Sequence, residues 1–286
     1  MVGDWVYVTI IPEGDSMIEA IRPRKSILKR ADQSGHAIGY VKTMQEQVMV
    51  ANFDYVFILT SLNEDYSLNR IARYVSVTLE GGGIPVAILT KADLCPDVTP
   101  FLQEVGALSE KARVHAISTH TGFGLEALQD YFQPGVTIAL LGSSGVGKST
   151  LMNKLLGKEV MKTSSIREKD GKGRHTTTAR QLFYQDGITL IDTPGMRELG
   201  LIDAERGVSD TFSDIEELTA QCRFRDCTHG KEPGCAVQRA LKNGELDKKR
   251  WQMYQSLMGE SRSNADKKAI ALQRKQMNKS GNRRSW

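Results

Sequence analysis

Long apolar runs are absent from this sequence. The strongest, such as residues 136–141, are of strand length. They fall well short of the ~20 residues that cross a bilayer, which excludes a helical membrane span. The opening Met1-Val2-Gly3-Asp4-Trp5 has no basic n-region, so secretion is not expected. Cysteine is scarce, four in 286 residues, and three of the four crowd beside a histidine, an odd cluster that weighs against disulfides. Charge imbalance is also small: the net charge is +4, with 40% hydrophobic and 25% charged residues. That is the composition of an ordinary cytosolic globular protein with one large or two to three small domains.

What the chain does have is a run of glycine, serine and lysine in its middle, Gly142-Ser143-Ser144-Gly145-Val146-Gly147-Lys148-Ser149-Thr150. It lies between the strand-length run 136–141 and a stretch of helical spacing at 149–156. A tight turn there aims backbone N–H groups and a helix N-terminus at one point, which cradles phosphates. Lys148 then reaches the β- and γ-phosphates, and the Ser149 hydroxyl takes a place on Mg²⁺. A chance Gly/Ser-rich loop would not match both the motif and its flanking elements.

About fifty residues earlier, Thr90-Lys91-Ala92-Asp93 ends another buried-strand run, 85–89. A carboxylate such as Asp93 accepts two hydrogen bonds from guanine N1–H and N2–H₂, which adenine does not offer. Leaving that acceptor unpaired weakens the wrong base by roughly 10⁴-fold. The stem of Lys91 covers one face of the base. Ile117-Ser118-Thr119-His120-Thr121-Gly122 follows on the next strand, with Ser118 and Thr119 beside the base. Together with the phosphate loop, these segments point to GTP.

The glutamine that orients the attacking water in many GTPases is missing. In Thr189-Leu190-Ile191-Asp192-Thr193-Pro194-Gly195, Asp192 closes an apolar strand for the metal shell, and the Gly195 N–H meets the γ-phosphate. The next residue is Met196, whose thioether cannot orient water. Either hydrolysis is very slow or another group substitutes. Gly171-Lys172-Gly173-Arg174-His175-Thr176-Thr177-Thr178 occupies the place of a mobile switch. One of its threonines, with Thr177 as the choice, would coordinate Mg²⁺ in the GTP state. His175 reads equally as the water-orienting group and as a polar loop residue.

Cys222, Cys227, His229 and Cys235 are spaced C-x₄-C-x-H-x₅-C. Three thiolates and one imidazole would close a tetrahedral, structural Zn²⁺ site. Cys95 stands apart as an ordinary thiol.

The order T-K-A-D, S-T-H-T-G, G-S-S-G-V-G-K-S-T, G-R-H-T-T-T, D-T-P-G places the base-reading segment ahead of the phosphate loop. This order resembles that of the circularly permuted GTPases, and its details are similar to the small-ribosomal-subunit biogenesis GTPases, the RsgA/YjeQ family. The resemblance extends from Val2-Gly3-Asp4-Trp5-Val6, through residues 48–63, to the Cys/His cluster, nearly the whole chain. It implies an OB-fold β-barrel at 1–50, a circularly permuted α/β P-loop GTPase domain at 51–212, and a mainly helical zinc-binding domain with a basic tail at 213–286. It further implies GTPase activity stimulated by the small ribosomal subunit late in its maturation, with GTP, GDP and rRNA as partners. Family members carry an apolar residue in the glutamine position and a proposed catalytic switch-I histidine, which favours His175. A cytoplasmic monomer is expected.

The family's barrel begins well upstream of the matching Gly-Asp-Trp, so the barrel here is expected to be short of at least one strand. Strands are expected at 4–10, 17–21 and 47–51, with Arg22, Arg24, Lys25, Lys29 and Arg30 on the stretch between. From Lys248 onward eleven Lys and Arg face only Glu260 and Asp266. That concentration suits a phosphate backbone; a solvated helix with a frayed tail is the alternative, disfavoured by the family's RNA partner. Trp251 and Tyr254, one helical turn apart, read as packing residues. The competing reading of function is a nucleotide-gated RNA-binding module whose hydrolysis is incidental, or a GTPase serving another RNA. Because the permutation puts Asp192–Met196 last among the nucleotide segments, γ-phosphate sensing is expected to connect directly to the RNA-binding end.

Overall fold

The structure, a computed structural model, describes residues 1–32, 37–38, 41–42, 45–63, 65–157, 180–193 and 199–281. At the N-terminus β1 (Val6–Thr9) pairs antiparallel with β2 (Met17–Ile21), β3 (Ile27–Asp32) with β6 (Gln45–Ala51), and β4 (Ala37–Ile38) with β5 (Val41–Lys42). Among the described residues these form three separate two-stranded ladders. The first is exposed except for the half-buried Val6, whereas the second buries Leu28, Met49 and Val50 in the core of the following sheet.

That sheet has six strands in the order β11-β12-β10-β7-β8-β9: β7 (Tyr55–Ser61), β8 (Ile84–Thr90), β9 (Arg113–Ala116), β10 (Thr137–Gly142), β11 (Gln181–Gln185) and β12 (Ile188–Asp192). Only β11 runs antiparallel to its neighbour. The central strands are apolar without interruption because both sheet faces are covered. Side chains alternate between faces: Val56, Ile58, Ala87, Leu89, Ala139 and Leu141 enter one core, and Phe57, Leu59, Val86, Ile88, Ile138 and Leu140 the other.

The first face is covered by α1 (Leu68–Glu80) and α4 (Glu205–Thr211), with α2 (Thr99–Gly106), α5 (Ser213–Ala220), α6 (Ala236–Asn243) and the 34-residue α7 (Lys248–Gly281) extending the same core. α1 and α4 cross closely: a Cβ on Gly207 would lie 2.0 Å from the Ser76 carbonyl oxygen, so only glycine fits. The second face is covered by α3 (Lys148–Leu156) and a 3₁₀ turn at Glu126–Tyr131. The sequence reads as an amphipathic stretch over 125–132, but the left-handed Gly124 before it and Pro134 after it leave room only for i→i+3 bonds such as Phe132 N to Gln129 O, 3.0 Å.

The link from that turn to β10 is held in place. Gly135 N donates to Gly187 O at 2.7 Å, in the two-residue β11–β12 turn whose Asp186 and Gly187 both have positive φ (52° and 82°).

Candidate active site and metal centre

Because β7, β8, β9, β10 and β12 are parallel, the segments leaving Ser61, Thr90, Ala116, Gly142 and Asp192 gather at one edge of the sheet, where open α/β sheets bind ligands. The phosphate-loop residues and both base-reading segments are therefore neighbours.

In the phosphate loop, a Cβ on Gly142 would lie 2.7 Å from Leu59 O, and Gly147 caps α3 at φ 100°. Ser144 and Gly145 are exposed, Val146 is buried in the second core, and Ser149 is half-buried. The Lys148 ammonium lies over the loop, donating to Gly142 O (2.6 Å) and Ser143 O (2.9 Å). Burial lowers its pKa, and the charge of Asp192 partly restores it. Burial likewise raises Asp192 above the ordinary carboxylate value, with Lys148 opposing.

Asp192 sits in register with Leu140, and its buried Oδ1 has no hydrogen-bond partner among the described residues. An orphaned carboxylate oxygen on the strand beside the phosphate loop fits the shell of a hydrated divalent cation.

Three side chains brace the loop. Thr90 Oγ1 donates to Val146 O at 2.8 Å, tying the T-K-A-D segment to it. Thr193 Oγ1 donates to Leu140 O, and Ser143 Oγ to the Asp65 carboxylate. Asp65 is itself held by Arg70 (3.2 Å) and by its own N–H to Asn63 Oδ1 (3.1 Å). Sequence reasoning passed over Asp65. Its only signal was a polar segment following a buried strand.

At the base-reading end Lys91 adopts a left-handed conformation (φ 60°), and Ala92 N donates to Ile117 O at 3.0 Å. The fully buried Ser118 hydroxyl accepts the N–H groups of His120 (3.2 Å) and Thr121 (3.1 Å). Both lone pairs are then engaged, and its proton goes to Asp93. That hydrogen bond is the main reason Asp93 lies below its usual pKa. Asp93 stays exposed, with acceptor capacity free for a base; Thr119 is half-buried beside it. His175, Thr177, Gly195 and Met196 lie outside the described residues.

Cys222, Cys227, His229 and Cys235 bring their donor atoms within 4.8 Å of one another. Cys222 Sγ is 3.9 Å from Cys235 Sγ, and His229 Nδ1 is 3.5 and 3.6 Å from those sulfurs. A tetrahedron with Zn–S and Zn–N bonds of ordinary length has edges of about 3.8 and 3.5 Å, so the cluster fits Zn²⁺. The His229 ring packs edge-on to Trp251 (5.7 Å), which stacks on Tyr254 (5.4 Å), joining the cluster to α7.

α7 also grips the segment that follows the Asp192–Met196 motif. Glu260 Oε1 accepts Leu201 N (3.0 Å), Asn264 Nδ2 donates to Leu201 O (2.7 Å), and Ser261 Oγ accepts Ala204 N (2.9 Å). Part of the helix's basic charge is spent internally: Arg250 forms a bidentate pair with Asp214, and Lys268 pairs with Glu46 and Asp203. Lys248, Lys249 and Lys267 remain exposed.

Among known proteins, the RsgA GTPase family model matches residues 21–202. An ABC transporter model matches 125–280; where the two overlap lies the strand–phosphate-loop–helix unit that P-loop proteins share. The chain is 44% identical over 276 residues to small ribosomal subunit biogenesis GTPase RsgA 1 of Listeria innocua, covering 96% of this chain and 76% of that protein. It is 45% identical over 260 residues to RsgA 2 of Lactiplantibacillus plantarum, covering 91% and 71%. YjeQ from Thermotoga maritima superposes with a TM-score of 0.62 and 27% identity, over 91% of this chain and 83% of that one. YloQ, described as a circularly permuted GTPase, has the same fold, with a TM-score of 0.60 at 24% identity over 92% and 80%.

Proposed function

The chain belongs to the RsgA GTPase family, and from that premise we propose that it hydrolyses GTP late in maturation of the small ribosomal subunit, bound to that subunit's rRNA. The observation that carries the reading is the convergence of T-K-A-D, the phosphate loop and Asp192 on one sheet edge, with Thr90 hydrogen-bonded to Val146.

In this reading the backbone N–H groups of 142–150 receive the phosphates, and the ammonium of Lys148 moves from the loop's carbonyls to the β- and γ-oxygens. Asp93 reads the base, held by Ser118; Lys91, Ala92 and Thr119 complete its surroundings. Ser149, Thr177 and Asp192 would hold Mg²⁺, which when bound neutralises charge on the β- and γ-oxygens. The unpartnered Oδ1 of Asp192 supports that assignment. Gly195 senses the γ-phosphate through its N–H, and His175 orients the attacking water in place of the absent glutamine. Cys222, Cys227, His229 and Cys235 hold one structural Zn²⁺. The protein acts in the cytoplasm as a monomer; among the described residues no helix is long and apolar enough to cross a membrane.

The test is GTP turnover by the full chain with purified ribosomal subunits. Strong stimulation by small but not large subunits is expected, lost in His175→Ala while GTP binding persists. Nucleotide-controlled RNA binding that survives in a hydrolysis-dead His175→Ala protein, without subunit stimulation, would favour the gated RNA-binding module instead.

A further inference from the structure

Arg180 lies just before the edge strand β11, two residues along the chain from Thr178. Its half-buried guanidinium donates to Met49 Sδ on β6 at 2.9 Å, a weak acceptor for a full charge. Two residues along β6, Gln47 Oε1 accepts Nε of Arg30 at 2.8 Å, in the register that pairs those two residues across the β3–β6 ladder. The two guanidiniums thus converge on one short stretch of β6. Burial first, and then repulsion from Arg30, hold Arg180 below the usual arginine range.

The other cations around this ladder have carboxylate partners. Lys29 and Lys268 both bind Glu46 at 3.0 Å, Lys25 binds Asp54 and Arg24 binds Asp4, both at 2.7 Å. Among the described residues no carboxylate lies within ion-pair distance of Arg30 or Arg180. Glu46, the nearest in sequence to Gln47, is committed to two lysines. Partly desolvated like charges without a counter-ion are unfavourable until an anion joins them. Tetrahedral oxyanions match the guanidinium fork, which makes Arg rather than Lys the residue for this task.

We propose that Arg30 and Arg180 together form a phosphate-binding site outside the nucleotide pocket, filled by a backbone phosphate of RNA or by free inorganic phosphate. The first source rests on the rRNA-binding reading above; the second does not. Occupancy by RNA would place a phosphate beside Arg180, two residues along the chain from the 171–178 segment, linking partner engagement to the part of the chain read as responsive to GTP.

The experiment uses the full chain saturated with GDP, so that the nucleotide pocket is filled, and a labelled single-stranded oligouridylate titrated over a range of salt. Arg30→Gln and Arg180→Gln should each weaken binding about tenfold and flatten the salt dependence by about 0.7, the value of one phosphate contact. Because the two share that phosphate, the double variant should lose no more than either single one. Arg180→Lys, which keeps the charge but not the fork, should fall between. In a parallel arm, inorganic phosphate should raise the melting temperature of the GDP-bound wild type but not of Arg180→Gln; if only this arm responds, the source is free phosphate. Variants equal to wild type in both arms, or additive losses in the double variant, overturn the site. RNA binding that persists unchanged in the variants, with no phosphate effect on melting either, leaves the proposed function standing without this site, whereas a wild type that ignores RNA but responds to phosphate removes the RNA reading and keeps the site.

Discussion

Ser261→Ala and Asn264→Ala test the grip of α7 on residues 199–204. Leu201 and Ser261 are fully buried, Ala204 is 2% and Asn264 7% exposed, so water has no access to replace a lost partner. Ser261→Ala leaves the Ala204 N–H without the oxygen it donates to at 2.9 Å, and Asn264→Ala leaves the Leu201 carbonyl without its donor at 2.7 Å. Each orphaned buried group costs about 1–3 kcal/mol. At about 2–4 °C per kcal/mol for a chain of this size, each single substitution should lower Tm by about 2–12 °C. The two act on one segment, so their losses should not add fully. Arg262→Ala is the control: its pair with Glu205 is exposed and 3.7 Å long, and its removal should leave Tm unchanged. Differential scanning calorimetry reads the shift. Protease sensitivity across residues 196–235 should differ between GTP and GDP states in the wild type and converge in Asn264→Ala. If Ser261→Ala and Asn264→Ala melt like Arg262→Ala, or the wild-type nucleotide states digest alike, the grip does not couple the γ-phosphate motif to α7.

Asp93→Asn replaces an acceptor with an amide, so GDP affinity should fall by roughly 10³–10⁴-fold while xanthosine diphosphate, with a carbonyl at C2, becomes the better ligand. Isothermal titration checks this, and undiminished GDP affinity would remove Asp93 as the base reader. Metal analysis should find one zinc per chain, and its chelation should quench or shift Trp251 fluorescence through the His229 contact while nucleotide binding persists; a zinc-free wild type refutes the metal assignment. For Asp192 the signs oppose. A pKa held above 3.8 means the folded apo protein binds that proton more tightly than the unfolded chain, so this group adds stability as pH falls toward the raised value. In the proposed function it is the ionised form of Asp192 that would hold Mg²⁺, so Mg²⁺-dependent GTP affinity should decline over the same window and be absent at all pH in Asp192→Asn. A Mg²⁺ dependence flat down to pH 3.8 would count against it.

Wherever one local pattern decided the outcome, the sequence could be read. The buried strands β7, β8 and β10 announce themselves by apolar runs bounded by turn residues. The Cys/His spacing brings four donors together because the ligands lie within fourteen residues. What escaped depends on pairing across distance. β3 reads as a basic stretch because Lys29 and Arg30 interrupt it, yet their side chains reach over the ladder to Glu46 and Gln47 while Leu28 sinks into the core. Asp65 meets Ser143 across 78 residues, and no motif advertises that meeting. α7 reads as a basic stretch suited to a phosphate backbone, and its grip on the chain goes unseen because its buried Ser261 and Asn264 are polar and reveal their task only against the backbone of residues 201–204.

The position of β10 has a consequence for how the protein is made. β10 inserts between β7 and β12, while β7 and β8 can pair as soon as both have been synthesised. From the end of β7 to the start of β10 is 76 residues (137 − 61). At about 5–20 residues per second, roughly 4–15 s pass before β10 even begins, and through that interval the mostly apolar β7 has an open edge. A base-first order of synthesis therefore exposes the most aggregation-prone edge of the sheet during translation, and in exchange the base-reading strands are in place before the phosphate loop emerges. Ribosome-stalled chains ending near residue 130 should accordingly be captured by trigger-type chaperones more strongly than chains ending past residue 200, and equal capture would show that β7 is covered by something else in the interval.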